Sequence, residues 1–162
     1  MCVQNFLLGK PEIFGFSPYL EEMHMEIKIY EQIPEAARKI REEVFVREQG
    51  FEYEFDDIDN RAIHLVMYEA GNPVATCRIY WNGEKDTYIV GRIAVVSAYR
   101  GRQAGAKMLQ EAEKQVRDSG GRTLYLHAQC RASAFYEKQG YRKTGNIDLE
   151  EDCPHIWMYK QL

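Results

Sequence analysis

Val96–Lys114, VSAYRGRQAGAKMLQEAEK, sets a basic, glycine-containing turn directly ahead of an amphipathic run. Gly105, Met108, Leu109, Ala112 and Val116 recur at helical spacing as one apolar stripe, which predicts a helix, and Ser119, Gly120 and Gly121 predict its end. The unpaired N–H groups of the first helical turn then fall in or near Arg102 to Ala106, where the positive end of the helix dipole also lies. Such a turn is an anion site. Upstream, TYIVGRIAVV (87–96) predicts a long strand, and a turn leading from a central strand into a helix is where α/β sheets hold ligands. Neither GxxxxGK[ST] nor GxGxxG occurs there, which argues against a nucleotide-triphosphate or dinucleotide loop.

The flanking segments extend the pattern. EIKIYE (26–31) alternates as a short strand, and Pro34 opens a helix whose Ala37, Ile40, Val44 and Phe45 share one side. GFEYEFDDIDNRA (50–62) is an acidic, aromatic-studded loop. IHLVMYEAGNPVATCRIYW (63–81) reads as two strands joined at Gly71–Asn72, and Asn82–Gly83 turns the chain into the 87–96 strand. After the helix, RTLYLHAQ (122–129) alternates Leu124, Leu126 and Ala128 with Tyr125, His127 and Gln129. ASAFYEKQ (132–139) is a short helix ending at Gly140, and IWMYKQ (156–161) closes as a strand. This order predicts the α/β class, with a mixed, mostly antiparallel sheet flanked by helices.

A chain of 162 residues with 45% apolar and 28% charged content predicts one core, assigned to a domain over 25–162. The net charge of -4 disfavours nucleic acid and favours a cationic partner. Cys2, Cys77, Cys130 and Cys153 show no CxxC pair and no metal-ligand spacing, so free thiols in a reducing cytoplasm and no metal are expected. Residues 1–24 have neither a positive leading region nor an unbroken apolar stretch, which predicts no secretory signal and no membrane span. They also lack any period, and read as an irregular extension with Met25 as a natural start.

IAVVSAYRGRQAGAKMLQEAE (93–113) followed by LHAQCRASAFYEKQGY (126–141) resembles the GNAT superfamily of acetyl-CoA-dependent N-acetyltransferases. YLHAQ, FYEKQGY and EEDCPHIWM make the carboxyl half most similar to the ElaA-like branch. The resemblance implies splayed central strands, acetyl-CoA as co-substrate, a small-molecule or peptide amine as acceptor, and it is compatible with a homodimer. The family's loop pattern [QR]xxGx[GA] falls on Arg100, Gly101, Arg102, Gln103, Ala104 and Gly105, with Ala106 following. Gln103 stands where the first motif glycine usually does, and its side chain crowds a close backbone approach to the diphosphate. Arg100, Arg102 and Lys107 balance phosphate charge in this reading.

Acetyl transfer to an amine sets three requirements. The thioester must be held, and by resemblance the edge of Ile93, Ala94 and Val95 pairs the pantetheine like an extra strand and polarises the carbonyl. The amine must lose a proton, since a lysine-like ammonium has a pKa of about 10.4; Glu48 and His127 are the candidate bases. The leaving thiolate needs a proton, and Tyr136 matches the family's general acid, with Phe135 as its core neighbour beside the cofactor. Glu48, Glu52, Glu54, Asp56, Asp57 and Asp59 form a negative stretch able to attract a cationic acceptor; Arg41, Arg78 and Arg92 either pair with those acids or bind an acceptor carboxylate, and Phe45, His64 and His155 are the other acceptor-pocket candidates.

A second resemblance is carried by the amino half, where Arg41, Phe45, Asp56, Asp59 and Arg78 fall in the order of acyl-homoserine lactone synthases, which use acyl-carrier donors. A non-catalytic coenzyme A-binding domain is the third reading.

Overall fold

Alternating and continuous apolar runs build one seven-stranded sheet in a computed structural model that describes residues 25–162. β1 (Met25–Tyr30), β2 (Ile63–Glu69), β3 (Asn72–Asn82) and β4 (Thr87–Val95) form an antiparallel meander. β5 (Thr123–Gln129) then joins β4 in parallel, and β6 (Arg142–Glu150) and β7 (Cys153–Gln161) complete the order β1-β2-β3-β4-β5-β7-β6. The expectation for residues 1–24 lies outside the described residues. Among the described residues no helix is long and apolar enough to cross a membrane.

Each face of the sheet is covered by the helix whose apolar stripe fits it. α2 (Ala104–Asp118) buries Met108, Leu109, Ala112 and Val116 against Leu65, Met67, Val90, Leu124 and Met158. Its end follows from local sterics. Gly120 takes φ +82°, and a Cβ on Gly121 would stand 2.5 Å from Val116 Cγ1. α1 (Glu35–Arg41) covers the other face with Ala37 and Ile40, and runs on through a π-helical stretch, Glu42–Glu48, that adds Val44 and Phe45 to the same cluster with Val66 and Ala94. The sequence stripe predicts the helix but not the wider turn, because the i, i+4 spacing of Ile40 and Val44 is served by either winding. α3 (Ser133–Lys138) is the short helix expected after β5.

β6 is a strand the apolar pattern does not predict. Arg142–Glu150 is an edge strand, with Ile147 and Leu149 63% and 68% exposed, and its pairing with β7 shifts register between Thr144 and Asp148. With water on both sides it needs no alternation, so the usual strand signal is missing.

Leu109 is fully enclosed and Leu149 is not. Leu109→Ala is expected to cost about 3 kcal/mol of unfolding free energy. Leu149→Ala should stay within about 0.5 kcal/mol. Equilibrium urea unfolding compares the two.

Candidate active site

The sheet opens at its centre. β4 and β5 are matched at Tyr88–Leu124 and Ile89–Tyr125, and beyond Ile89 they diverge. On its other side β4 carries a bulge. Arg78 faces Gly91 and Thr76 faces Ala94, so Cys77 has two residues, Arg92 and Ile93, opposite it. Arg92 takes φ +52°, a left-handed conformation costing a side-chain-bearing residue roughly 1 kcal/mol. The opening forms a cleft of about 350 Å³, with Ile93 and Arg92 on one wall and Leu126, His127 and Tyr136 on the other.

Past the end of β4, the turn ahead of α2 carries backbone donors. The first helical hydrogen bond runs from Lys107 N–H to Gln103 C=O at 3.0 Å, leaving the amides of Ala104, Gly105 and Ala106 ahead of the ladder. Gly101 and Gln103 both have positive φ, +76° and +62°, so Gln103 keeps the backbone shape of the glycine it replaces. A Cβ on Gly105 would meet Phe135 Cζ at 3.3 Å, which makes Phe135 the floor of the loop. Exposed Arg102 lies over the Tyr99 ring at 5.3 Å.

The deeper end is built from charge. Arg41, 1% exposed, donates Nε to Glu54 at 2.6 Å and Nη1 to Asp59 at 2.7 Å. Arg78 donates to Asp56 through Nη1 and Nη2 and to Asp59 at 2.8 Å. Arg92 reaches Glu54 at 3.1 Å, and Asp56 and Glu150 at 3.6 Å. Burial raises the Asp59 carboxyl, but Arg41 and Arg78 outweigh it and hold the group well below the carboxylate range. Burial pushes Glu54 upward in spite of Arg92 and Arg41. The network straps the 50–60 segment across α1 and β3. From outside, the Glu151 carboxylate accepts the N–H groups of Glu52 and Tyr53 at 2.8 and 2.9 Å.

The facing wall is aromatic and titratable. Register places His127 opposite Trp157, and their rings stack at 4.6 Å; His155 lies 4.8 Å from His127 on the other side. His127 Nε2 is 2.7 Å from Asp148, and its Nδ1 is 3.6 Å from Glu150. Burial pulls the His127 imidazole down, but the Glu150 and Asp148 carboxylates outweigh it and the net shift is upward. The facing His127 ring lowers Glu150 to about 2, with burial opposing and Arg92 and His155 assisting. Burial pushes the Tyr136 phenol up, so it stays protonated across neutral pH.

Ala94, Val95, Phe135 and the loop residues 100–106 are not among the residues lining this cleft, and neither are His64, Arg41 and Glu48. His64 is buried on β2 with Nε2 3.0 Å from Asp59 C=O, and burial lowers its pKa; it backs the strap. Arg41 is consumed beneath the strap by Glu54 and Asp59. Glu48 and Arg100 lie half-exposed outside the cleft and clasp each other through both carboxylate oxygens, at 2.5 and 2.8 Å. The Arg100 contact lowers Glu48, and Arg100 also donates to Val95 C=O, so this pair buttresses the loop. Phe45, Arg78, Arg92, His127, His155 and Tyr136 do line the cleft. Arg41, Asp56, Asp59 and Arg78, which carry the second resemblance, converge on one another. Glu150 and Trp157 were missed as site residues; His127 opposite Trp157 was readable only once β5–β7 pairing was known.

The model of the acetyltransferase (GNAT) family matches residues 27–141, from within β1 to the residue before β6. The chain belongs to the GNAT family of acetyltransferases. This acetyltransferase is 35% identical over 124 residues to the uncharacterized N-acetyltransferase YjcF of Bacillus subtilis, covering 75% of this chain and 87% of the relative. It is 26% identical over 132 residues to the protein ElaA of Shigella flexneri, covering 78% and 86%. A crystal structure from Lactobacillus plantarum shares the fold with a TM-score of 0.78 at 32% identity, covering 85% of this chain and 98% of that one.

Two outcomes follow for this GNAT domain. His127 faces Asp148 and Glu150 from β6 and His155 from β7, with Arg92 of β4 behind Glu150. NMR titration of its imidazole should give a pKa above the ordinary value in the wild type and a lower one in Glu150→Gln. The linked stability from His127 is full below the unfolded imidazole value and is lost as pH rises through the folded one. That from Glu150 is full above the ordinary carboxylate range and is lost as pH falls toward about 2. At the loop, Gln103→Gly removes left-handed strain and adds chain entropy, for a net gain expected at about 0.5 kcal/mol in urea unfolding.

Proposed function

We propose that the protein transfers an acetyl group from acetyl-CoA to a primary amine held in the cleft, by direct attack while both substrates are bound. The observation that carries this is the parting of β4 from β5 after Ile89, which sets Ile93 and Tyr136 on opposite walls of one opening. The residues present suit coenzyme A. The free amides of Ala104, Gly105 and Ala106 and the left-handed Gly101 and Gln103 suit a diphosphate. The unpaired side of Ile93, Ala94 and Val95 suits a pantetheine amide chain. An aminoglycoside 6'-N-acetyltransferase that shares this fold, with a TM-score of 0.64 at 18% identity, is known in complex with coenzyme A, which supports that use of the scaffold.

Bound acetyl-CoA supplies an acyl group activated as a thioester. The Ile93–Val95 edge and the loop amides orient it in this reading. His127 accepts one proton from the acceptor's ammonium and passes it through Asp148, which is exposed, to solvent. Tyr136 donates its phenolic proton to the departing sulfur and recovers the amine's second proton as the C–N bond forms and the C–S bond breaks. The net release is one proton per turnover. Glu48 has no part in this scheme, because Arg100 occupies both its oxygens outside the cleft.

Free-thiol release with acetyl-CoA and a panel of amines tests the reading. Tyr136→Phe is expected to lower kcat by about 10²–10⁴-fold while leaving the KM for acetyl-CoA within a few fold. Unchanged turnover would remove Tyr136 from the mechanism. A melting shift with acetyl-CoA and no thiol release by the wild type would leave a coenzyme A-binding domain instead.

A further inference from the structure

The cleft carboxylates differ in how firmly they are held. Glu54 has a guanidinium nitrogen at 2.6 Å, Asp59 at 2.7 Å and Asp56 within 2.8 Å. These three are saturated and fix the strap. Glu150 is 39% exposed, and its nearest nitrogen neighbours, the Arg92 guanidinium and the His127 and His155 rings, all stand at 3.6 Å. It therefore faces the cleft as a carboxylate kept ionised by its neighbours but bonded closely by none of them.

A second observation lies one residue on. Glu151 pins the backbone of Glu52 and Tyr53, and Tyr53, 76% exposed, is among the residues lining the same cleft. Glu151 and Asp152 both have positive φ, +45° and +64°, so the tight turn that aims Glu151 at the strap carries backbone strain. A large exposed ring on a pinned backbone, lining one cleft with a loosely held carboxylate, has the composition of a site for an organic cation, which joins a charge to an apolar body.

We propose that Glu150 anchors the acceptor's ammonium and Tyr53 its body, so that the acceptor is a primary amine borne on an aromatic or bulky apolar group. Calling this ligand the acceptor rests on the acetyl-transfer reading; the binding site itself does not. Anchored at Glu150, the amine sits beside His127, whose Nδ1 is 3.6 Å from the same carboxylate. Glu150 is thus a substrate-binding group that also delivers the ammonium to its base.

Binding measured on the full chain without acetyl-CoA tests the site directly. Three probes separate its parts: phenethylamine has charge and ring, 2-phenylethanol the ring alone, and methylamine the charge alone. Calorimetry and the Trp157 indole and His127 imidazole NMR signals are expected to show phenethylamine binding at least about tenfold more tightly than either of the others. Glu150→Gln should reduce phenethylamine to the level of 2-phenylethanol, Glu150→Asp should keep part of the preference, and Tyr53→Ala should bring phenethylamine close to methylamine. Equal binding of amine and alcohol, saturable binding of none of the three, or an undiminished preference in a folded Glu150→Gln protein would each overturn the proposal. Thiol release by the wild type with other amines alongside such a result would leave acetyl transfer standing, and amine binding without thiol release would do the reverse.

Discussion

Two strands that stay in register for only two matched pairs set the terms for everything else in this molecule. Had β4 and β5 remained hydrogen-bonded past Ile89, the edge of Ile93, Ala94 and Val95 would be spent inside the sheet. The bulge at Arg92 works from the opposite side. It adds a residue where β4 meets β3, turns a guanidinium into the opening, and leaves Ala94 and Val95 paired only to Thr76 and Ala75. The left-handed backbone at Arg92 is tolerated because Glu54, Asp56 and Glu150 all hold its side chain.

An opened sheet needs its flank held, and buried charge does this. Guanidinium and carboxylate groups removed from water stabilise little unless each is matched and hydrogen-bonded. Arg41 meets that condition through Glu54 and Asp59, and Arg78 shares Asp59 and takes Asp56 with its two terminal nitrogens, leaving only its buried Nε without a partner. The result is a segment with almost no regular structure that nevertheless has a fixed path over the cleft. Phe55 adds to it by lying under Arg38 and Arg41, at 5.3 and 4.7 Å from the two guanidiniums. Specific shape, rather than bulk stability, is what such a network provides.

Much of this was legible in the residues, and for identifiable reasons. The stripe from Met108 to Val116 and the alternation of Leu124, Leu126 and Ala128 reflect one buried face each, so periodicity found α2 and β5. The basic turn was legible because an anion site at a helix start needs a short stretch of local sequence only. What could not be read was anything set by pairing across the sheet. β6 is wet on both faces and has no period, and Glu150 became a site residue only when β6 folded back on β7 toward His127 and His155. Arg41 and His64 illustrate the complementary case, and for Arg41 the structure selects ion pairing with the acidic stretch from the two readings its position allows. A charged or titratable side chain in an apolar run signals a buried partner as readily as a ligand, and here the partners are Glu54, Asp59 and the Asp59 carbonyl.

The family match ends at Tyr141, whereas Asp148, Glu150, His155 and Trp157 all come from the hairpin that follows. Part of the wall proposed for the acceptor is therefore encoded after the matched segment, while its other groups, Tyr53, Arg92 and His127, lie within it. Because β6 is an outer strand, changes on it disturb few partners within the sheet, whereas β7 pairs with β5 along its length and buries Met158 in the core. A substitution on β6 then alters the Asp148 and Glu150 side of that wall and leaves the turn ahead of α2 as it is.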